Sequence, residues 1–163
     1  MKKFFLSIDQ GTTSTRTVLY DFRFKYIDQE QIEIKQFYPK PGYVEHDAEE
    51  IWEKTYKTFR KLLKKHDLQP AQIISIGITN QRETVLGWNS KTGKPIGKAI
   101  VWQDRRTSAF CDSLKQKGLE PEINEKTGLL LDPYFSASKL SWLKNKSKAQ
   151  FLKKTTLFGT IDR

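Results

Sequence analysis

The chain has 163 residues, 37% of them hydrophobic and 29% charged, and its formal net charge is +10. This size and composition suit one soluble globular domain with an apolar core. The single cysteine, Cys111, excludes an internal disulfide framework and favours a reducing, cytoplasmic compartment. No stretch of the chain is long and apolar enough for a membrane-spanning helix, so an integral membrane protein is excluded as well.

Apolar runs predict several strands in the first half of the chain. The runs at 4–8 and 17–21 flank a polar turn, and alternation of apolar and polar residues over 31–37 predicts a third strand. Short connections between these three strands favour an antiparallel meander. A nearly continuous β-branched run at 73–78 is typical of a strand that is buried on both faces.

Helices are predicted in both halves. Asp47 fits the N-cap of a long helix whose apolar stripe comprises Trp52, Tyr56, Phe59 and Leu63. Later helices are predicted over 107–117, from Pro121 to Gly128, over 136–144 and in a second lysine-rich piece, with strands near 84–88, 99–102 and 157–159. The order of these elements predicts an α/β fold with a mixed sheet.

Residues 9–16, DQGTTSTR, combine one glycine with four consecutive hydroxyl side chains. Gly11 would let the backbone turn tightly, and consecutive amides in such a turn can form an anion-binding nest. Asp9 could hold Mg²⁺ through water, since Mg²⁺ keeps several water ligands. The candidate phosphate contacts are Thr12, Thr13, Ser14 and Arg16. A polar β-turn without a ligand explains the same residues.

The stretch ITNQRET places two charged residues just after the 73–78 strand, where open α/β sheets bind ligands. Arg82 offers a forked donor and Glu83 a carboxylate acceptor, a pair that suits vicinal hydroxyls, because each hydroxyl both donates and accepts. A surface ion pair of little energetic value is the alternative interpretation.

Two aromatic residues lie in polar stretches that precede helices. Trp102, in IVWQDRRT, could lay its apolar face on the carbon skeleton of a substrate, and the Tyr134 hydroxyl, in LLDPYFSASK, could reach a ligand. Packing in a core is the alternative for both rings. Asp104 is a plausible N-cap for the helix that follows, and Asp132 and Pro133 predict a turn.

Residues 136–156 contain six lysines and no acidic residue. A solvated helical face is the favoured explanation, because a nucleic-acid surface usually adds arginines and stacking aromatics. A nucleic-acid patch and a surface that faces a partner absent from this chain are the alternatives.

Six stretches, in order along the whole chain, resemble the glycerol kinases of the FGGY family of carbohydrate kinases. These stretches are SIDQGTTSTR, YPKPGYVEHDAEEIW, IGITNQRET, TGKPIGKAIVWQDRRT, TGLLLDPYFSASKL and LFGTIDR. The resemblance implies an actin-like ATPase fold with a ribonuclease H-like domain. Residues 1–163 would then form an incomplete, truncated N-terminal FGGY domain, with the second domain absent.

The resemblance also implies roles for the residues singled out above. ATP would contact Thr12, Thr13, Ser14 and Arg16, Mg²⁺ would lie near Asp9, and glycerol would contact Arg82, Glu83, Trp102 and Tyr134. The aspartate that serves as catalytic base in the family lies beyond residue 163, so no catalytic residue is assigned and the chain alone is expected to be inactive. The alternative is a non-catalytic fragment that binds glycerol, a complementary C-terminal chain or further copies of itself.

Overall fold

The computed structural model of the chain describes residues 2–146 and 155–161. It contains two compact units, and the chain passes between them three times. Unit 1 comprises residues 1–35 and 47–81, and unit 2 comprises residues 36–46 and 82–163. Each unit has its own β-sheet.

Nine strands and four α-helices lie within the described residues, together with a single 3-10 turn at Pro70–Gln72. The strands are β1 (Phe4–Gln10), β2 (Ser14–Asp21), β3 (Tyr26–Glu33), β4 (Gln36–Phe37), β5 (Glu45–His46), β6 (Ile73–Asn80), β7 (Val85–Asn89), β8 (Ala99–Ile100) and β9 (Thr156–Thr160). The helices are α1 (Ala48–Lys65), α2 (Ser108–Gln116), α3 (Glu120–Thr127) and α4 (Ser136–Lys146). None of the helices in this described part of the chain is both long and apolar enough to cross a membrane.

The sheet of unit 1 has the strand order β3-β2-β1-β6. The first three strands pair antiparallel and β6 pairs parallel to β1, which confirms the predicted meander and mixed sheet. The predicted position of the third strand, 31–37, is wrong, because β3 ends at Glu33 and β4 is separate. Half of β3 is exposed, so its first residues, YIDQ, lack the apolar alternation that would reveal a strand.

Helix α1 begins where the sequence predicts. The Asp47 carboxylate accepts hydrogen bonds from the N–H groups of Glu49 and Glu50 at 3.0 and 3.3 Å, which satisfies donors that a helix start leaves unpaired. The Glu50 carboxylate, three residues after this N-cap, accepts from the Lys35 N–H at 3.2 Å and contacts the Lys54 ammonium.

The apolar stripe predicted for α1 is half wrong. Trp52 and Tyr56 are 67% and 48% exposed and stack on each other, whereas the buried positions of the helix are Ile51, Thr58 and Leu62. Threonine hydroxyls explain the rotation of the helix: the Thr17 hydroxyl on β2 and the Thr58 hydroxyl hydrogen-bond at 2.9 Å. The helix therefore turns a partly polar face to the sheet, which a search for apolar periodicity misses.

Strand β6 is not buried on both faces as predicted. Within the described residues it pairs only with β1, and α1 packs across β1, β2 and β3. Ile74, Ile76 and Ile78 are 49%, 41% and 72% exposed. The β-branched run therefore predicts the strand correctly. It does not predict how far other elements of the chain bury that strand.

An exposed, apolar edge strand favours association. We expect the 163-residue chain to self-associate with rising concentration, and Ile78→Lys to shift the equilibrium towards monomer, because it places a charge within the exposed isoleucine face. Thr79→Lys, next along β6 on the opposite face, is the control and should retain association through the isoleucine face. Analytical ultracentrifugation measures the three chains. A monodisperse wild-type monomer at high concentration contradicts the prediction.

The sheet of unit 2 has the order β4-β5-β8-β7-β9, and every neighbouring pair is antiparallel. Helix α4 packs on β7 and β9, and Val85, Ile100 and Leu143 form the buried cluster beneath it. The strand predicted near 157–159 is confirmed as β9, and the buried Cys111 on α2 is the core residue that its sequence context suggests. The second lysine-rich piece, 147–154, lies outside the described residues.

Candidate functional site

The hydroxyl turn joins β1 to β2 and is held as a tight hairpin. The Gly11 N–H donates to the Ser14 carbonyl oxygen at 3.0 Å. No residue of this turn has a positive φ, so its amides do not form the nest of alternating handedness that a left-handed glycine would give. Glycine is favoured for another reason: a Cβ at Gly11 would lie 3.1 Å from the Ser14 carbonyl oxygen, a close contact that would require a small shift of the turn.

Two glutamines anchor this turn, and the sequence patterns did not identify them. The side-chain amides of Gln10 and Gln81 both donate to the Gly11 carbonyl oxygen, at 2.9 and 3.2 Å, and both residues are 5% exposed. The Gln10 Oε1 atom is buried without a hydrogen-bond partner among the described residues. The positions of the two glutamines in the sequence could have indicated this contact. Each lies at or just after the carboxyl end of a predicted strand, β1 or β6, and parallel strands bring their carboxyl ends to one edge of a sheet.

Asp9 and Arg16 face each other across the hairpin. The Arg16 guanidinium donates to Asp9 Oδ2 at 2.9 Å, and the two side chains are 40% and 42% exposed. The Arg16 Nε atom is buried without a hydrogen-bond partner in the described part of the chain. Thr12 and Thr13 occupy the turn itself, and the Ser14 hydroxyl accepts from the Gln31 amide at 2.9 Å. Hydroxyls and one cation therefore converge at the hairpin end, a combination that suits a phosphate.

In unit 2, Glu83 lies at the start of α4. Its Oε2 atom accepts from the Ser136 N–H at 2.8 Å and from the Ser136 hydroxyl at 2.6 Å. A carboxylate at a helix N-terminus is stabilised by the unpaired amides there. Arg82 is exposed and forms no side-chain hydrogen bond or ion pair with Glu83 or with any other residue that the structure describes.

Trp102 and Tyr134 lie next to each other. Their ring centroids are 5.6 Å apart at 64°, and the ring of Phe135 lies edge-on to Tyr134 at 5.1 Å. Tyr134 is 41% exposed, so its ring is not a core residue, and Trp102 is half-buried. The structure thus brings Glu83, Trp102 and Tyr134 to one short segment, 134–136, although they are far apart in sequence.

A turn at 132–135 presents Tyr134, as the Asp132-Pro133 pair predicts. The Asp132 Oδ1 atom accepts from the Tyr134 N–H at 2.8 Å and from the Arg105 guanidinium at 3.1 Å. An acceptor, an exposed forked donor and two partly open aromatic rings are the groups that bind the hydroxyls and carbon skeleton of a small polyol.

Two sequence interpretations nearby are wrong. Asp104 does not cap α2, which begins at Ser108, but is fully buried and accepts from the Val44 N–H at 2.7 Å. The solvated-face explanation of the lysines fails for Lys139, which is fully buried, whereas Lys144 on the same helix is exposed.

Comparison with known proteins identifies the family. Residues 4–163 match the N-terminal domain of the FGGY family of carbohydrate kinases. The chain is 53% identical over 165 residues to a glycerol kinase of Sinorhizobium fredii and 48% identical over 169 residues to one of Petrotoga mobilis, in each case covering 99% of the chain and 33% of the relative.

Solved structures agree with this match. A glycerol kinase of Plasmodium falciparum crystallised with ADP superimposes with a TM-score of 0.87 at 36% identity, covering 99% of the chain and 33% of that protein. A gluconate kinase of Lactobacillus acidophilus gives a TM-score of 0.88 at 27% identity, covering 99% of the chain and 32% of that protein. The predicted fold class is confirmed, and the chain spans about a third of the length of these relatives. The chain belongs to the FGGY family of carbohydrate kinases, and it corresponds to the N-terminal domain of that family.

Proposed function

We propose that the chain is the N-terminal part of a cytoplasmic glycerol kinase, which transfers the γ-phosphoryl group of ATP to glycerol and yields ADP and sn-glycerol 3-phosphate. The observation that carries the proposal is the convergence of Glu83, Trp102 and Tyr134 on the segment at the start of α4. The 53% identity to a glycerol kinase supports glycerol over a sugar as the polyol.

The polyol would be held by two kinds of contact. The Arg82 guanidinium would donate to the hydroxyls, and Glu83, which accepts from Ser136 through Oε2, would accept from the polyol hydroxyls through Oε1. The rings of Trp102 and Tyr134 would cover the carbon atoms, since partly exposed aromatic faces bind apolar atoms beside polar ones.

The nucleotide phosphates would bind at the β1–β2 hairpin through the side chains Thr12, Thr13, Ser14 and Arg16. Asp9 would be the protein contact nearest to Mg²⁺. No group of three or more potential metal-ligating side chains occurs among the described residues. A lone carboxylate still fits Mg²⁺, which usually takes one or two carboxylates together with phosphate oxygens and water. When bound, the ion would neutralise charge on the phosphates.

The transfer forms a bond between a glycerol oxygen and the γ-phosphorus and breaks the bond from that phosphorus to the bridging oxygen of ADP. Positioning and charge stabilisation provide most of the catalysis in such reactions. The hydroxyl proton needs an acceptor, and none of Asp9, Asp104 and Asp132 is assigned that role. We therefore propose that the 163 residues bind ligands but need the remainder of the polypeptide for turnover.

A coupled kinase assay tests the proposal. The 163-residue chain is assayed alone and together with a polypeptide that supplies the remaining two-thirds of a glycerol kinase. We expect no turnover alone and ATP-dependent phosphorylation of glycerol with the second polypeptide. Calorimetry measures glycerol and ADP binding to the 163-residue chain in parallel.

Each contrary result has a separate meaning. Robust turnover by the 163 residues alone contradicts the proposed need for a second polypeptide. Glycerol binding without turnover in the mixture favours the alternative of a non-catalytic polyol-binding fragment. Absence of both binding and turnover contradicts the assignment of this polyol.

A further inference from the structure

The Lys139 side chain is enclosed in unit 2 and has an unusual set of partners. The residue is fully buried, and its ammonium donates to the carbonyl oxygens of Pro133, Tyr134 and Phe135, with distances of 2.9 Å to the first and 3.1 Å to the third. An ammonium has three N–H donors, so these three successive carbonyls match its full capacity. Buried charges that are fully hydrogen-bonded in this way hold their partners in one geometry.

The same turn has its amides bonded as well. The Tyr134 N–H donates to the Asp132 carboxylate at 2.8 Å, the Phe135 N–H to the Asp132 carbonyl at 3.2 Å, and the Ser136 N–H to the Glu83 carboxylate at 2.8 Å. Two carboxylates and one backbone carbonyl thus accept from the N–H groups of the segment, while Lys139 donates to its carbonyl oxygens.

We propose that Lys139 is a positioning residue, which fixes the turn at 133–135 and thereby holds Tyr134 in the orientation that binds the polyol. Lys139 is too deeply buried to contact substrate itself, so its effect passes through the three carbonyls. The polyol part of this inference rests on the proposed function. The ordering of the turn by Lys139 does not depend on the proposed function.

Electrostatics adds a pH dependence to this contact. Burial lowers the pKa of Lys139 from 10.5 to about 8, while Glu83, Asp104, Asp132 and the Cys111 thiol, which all face it, act in the opposite direction. Below about pH 8 the ammonium satisfies all three carbonyls. Above it, the neutral amine has only two N–H donors, so one carbonyl loses its partner and the turn should loosen.

The contribution of Lys139 to the free energy of unfolding changes with pH in the opposite direction to the order of the turn. Between about pH 8 and 10.5 the unfolded chain binds the Lys139 proton and the folded chain does not, so the contribution of Lys139 to stability rises with pH. A positioning role for Lys139 therefore makes the turn less protected over a pH range in which the contribution of Lys139 itself to stability rises.

Lys139→Met removes the ammonium and keeps most of the side-chain volume. Lys144→Met is the matched control, since Lys144 is an exposed lysine on the same helix. Amide hydrogen exchange of residues 134–136 and calorimetric binding of glycerol and ADP are measured on the 163-residue chain. We expect Lys139→Met to speed this exchange and weaken glycerol binding by about tenfold or more each, and to leave ADP binding unchanged. Lys144→Met should change none of these quantities.

The wild-type chain supplies a second measurement that needs no variant. Exchange at 134–136, corrected for its intrinsic pH dependence, and glycerol affinity are followed from about pH 7 to about pH 10. We expect exchange to become faster and binding weaker as the pH rises through about 8. If the Lys139→Met chain does not fold, the pH series on the wild-type chain alone tests whether Lys139 orders the turn.

Three results are decisive. Unchanged exchange in Lys139→Met and across the pH series overturns the proposal. Faster exchange with unchanged glycerol affinity overturns the role in polyol binding. If the wild-type chain binds no glycerol and the mixture with the second polypeptide shows no turnover, the proposed function fails, and the exchange rates alone decide whether Lys139 orders the turn.

Discussion

Replacing Arg106 with methionine is expected to lower the free energy of unfolding by about 3–5 kcal/mol, because the substitution leaves a buried carboxylate without its counter-charge. The Arg106 side chain is 2% exposed and the Asp104 side chain is fully buried. The guanidinium donates to both Asp104 carboxylate oxygens, at 2.9 and 2.8 Å, and to Glu45 Oε1 at 2.8 Å.

Aromatic rings complete the surroundings of this guanidinium. Its central carbon lies 4.0 Å from the ring centroid of Tyr43 and 4.6 Å from that of Trp142, distances typical of cation–π contacts. Burial opposes the charge of Arg106, but the hydrogen bonds to Asp104 and Glu45 outweigh burial and raise the pKa of Arg106 above its ordinary value. The arginine is therefore charged at every pH at which the chain is folded.

The neighbouring arginine provides the control. Arg105 is 55% exposed and pairs with the partly exposed Asp132, so Arg105→Met should change the free energy of unfolding by less than about 1 kcal/mol. Urea denaturation followed by circular dichroism measures both variants. Equal, small effects of the two substitutions would show that the buried network does not stabilise unit 2.

Arg82→Ala is expected to weaken glycerol binding by about 10-fold to 150-fold, since a hydrogen bond from a charged donor contributes about 1.5–3 kcal/mol. Arg82 has no side-chain hydrogen bond or ion pair with the described residues, so its removal should change the free energy of unfolding by less than about 0.5 kcal/mol. The substitution thus separates ligand binding from folding. Calorimetry with glycerol and urea denaturation measure the two quantities.

Two further variants serve as comparisons for Arg82→Ala. Glu83→Ala should lose both affinity and stability, because the Glu83 carboxylate also pairs with Ser136 at the start of α4. Arg60→Ala, on the exposed side of α1, should change neither. Unaltered glycerol affinity in Arg82→Ala would remove this residue from the proposed polyol site.

Local signals predicted the elements whose structure depends on near neighbours. Strands β1 and β2 and the N-cap of α1 follow from apolar runs and from one aspartate with the adjacent amides. Burial of whole faces was harder to predict. The isoleucines of β6 have the composition of a central strand, but coverage depends on which elements pack beside them, and that information is not local.

The candidate site shows the same limit. The family resemblance, and not residue type alone, grouped Glu83, Trp102 and Tyr134 with Arg82. The fold brings the first three to the segment 134–136, and their contact with a polyol stays a prediction. The partner of Glu83 at Ser136, 53 residues away, has no sequence signal. Lys139 lies in a stretch whose average composition indicates exposure, so its burial depends on the geometry of a single turn.

The discontinuity of the two units constrains biosynthesis and protein engineering. The segment 36–46 belongs to unit 2, where Glu45 and His46 pair with Ile100 and Ala99. On the ribosome, β5 can pair with β4 at once, but it emerges more than 50 residues before β8, so its other edge lacks a partner while all of α1 and β6 is synthesised. Neither unit can be excised as one continuous piece of polypeptide. Separate expression of unit 1 would need a designed connection between residues 35 and 47.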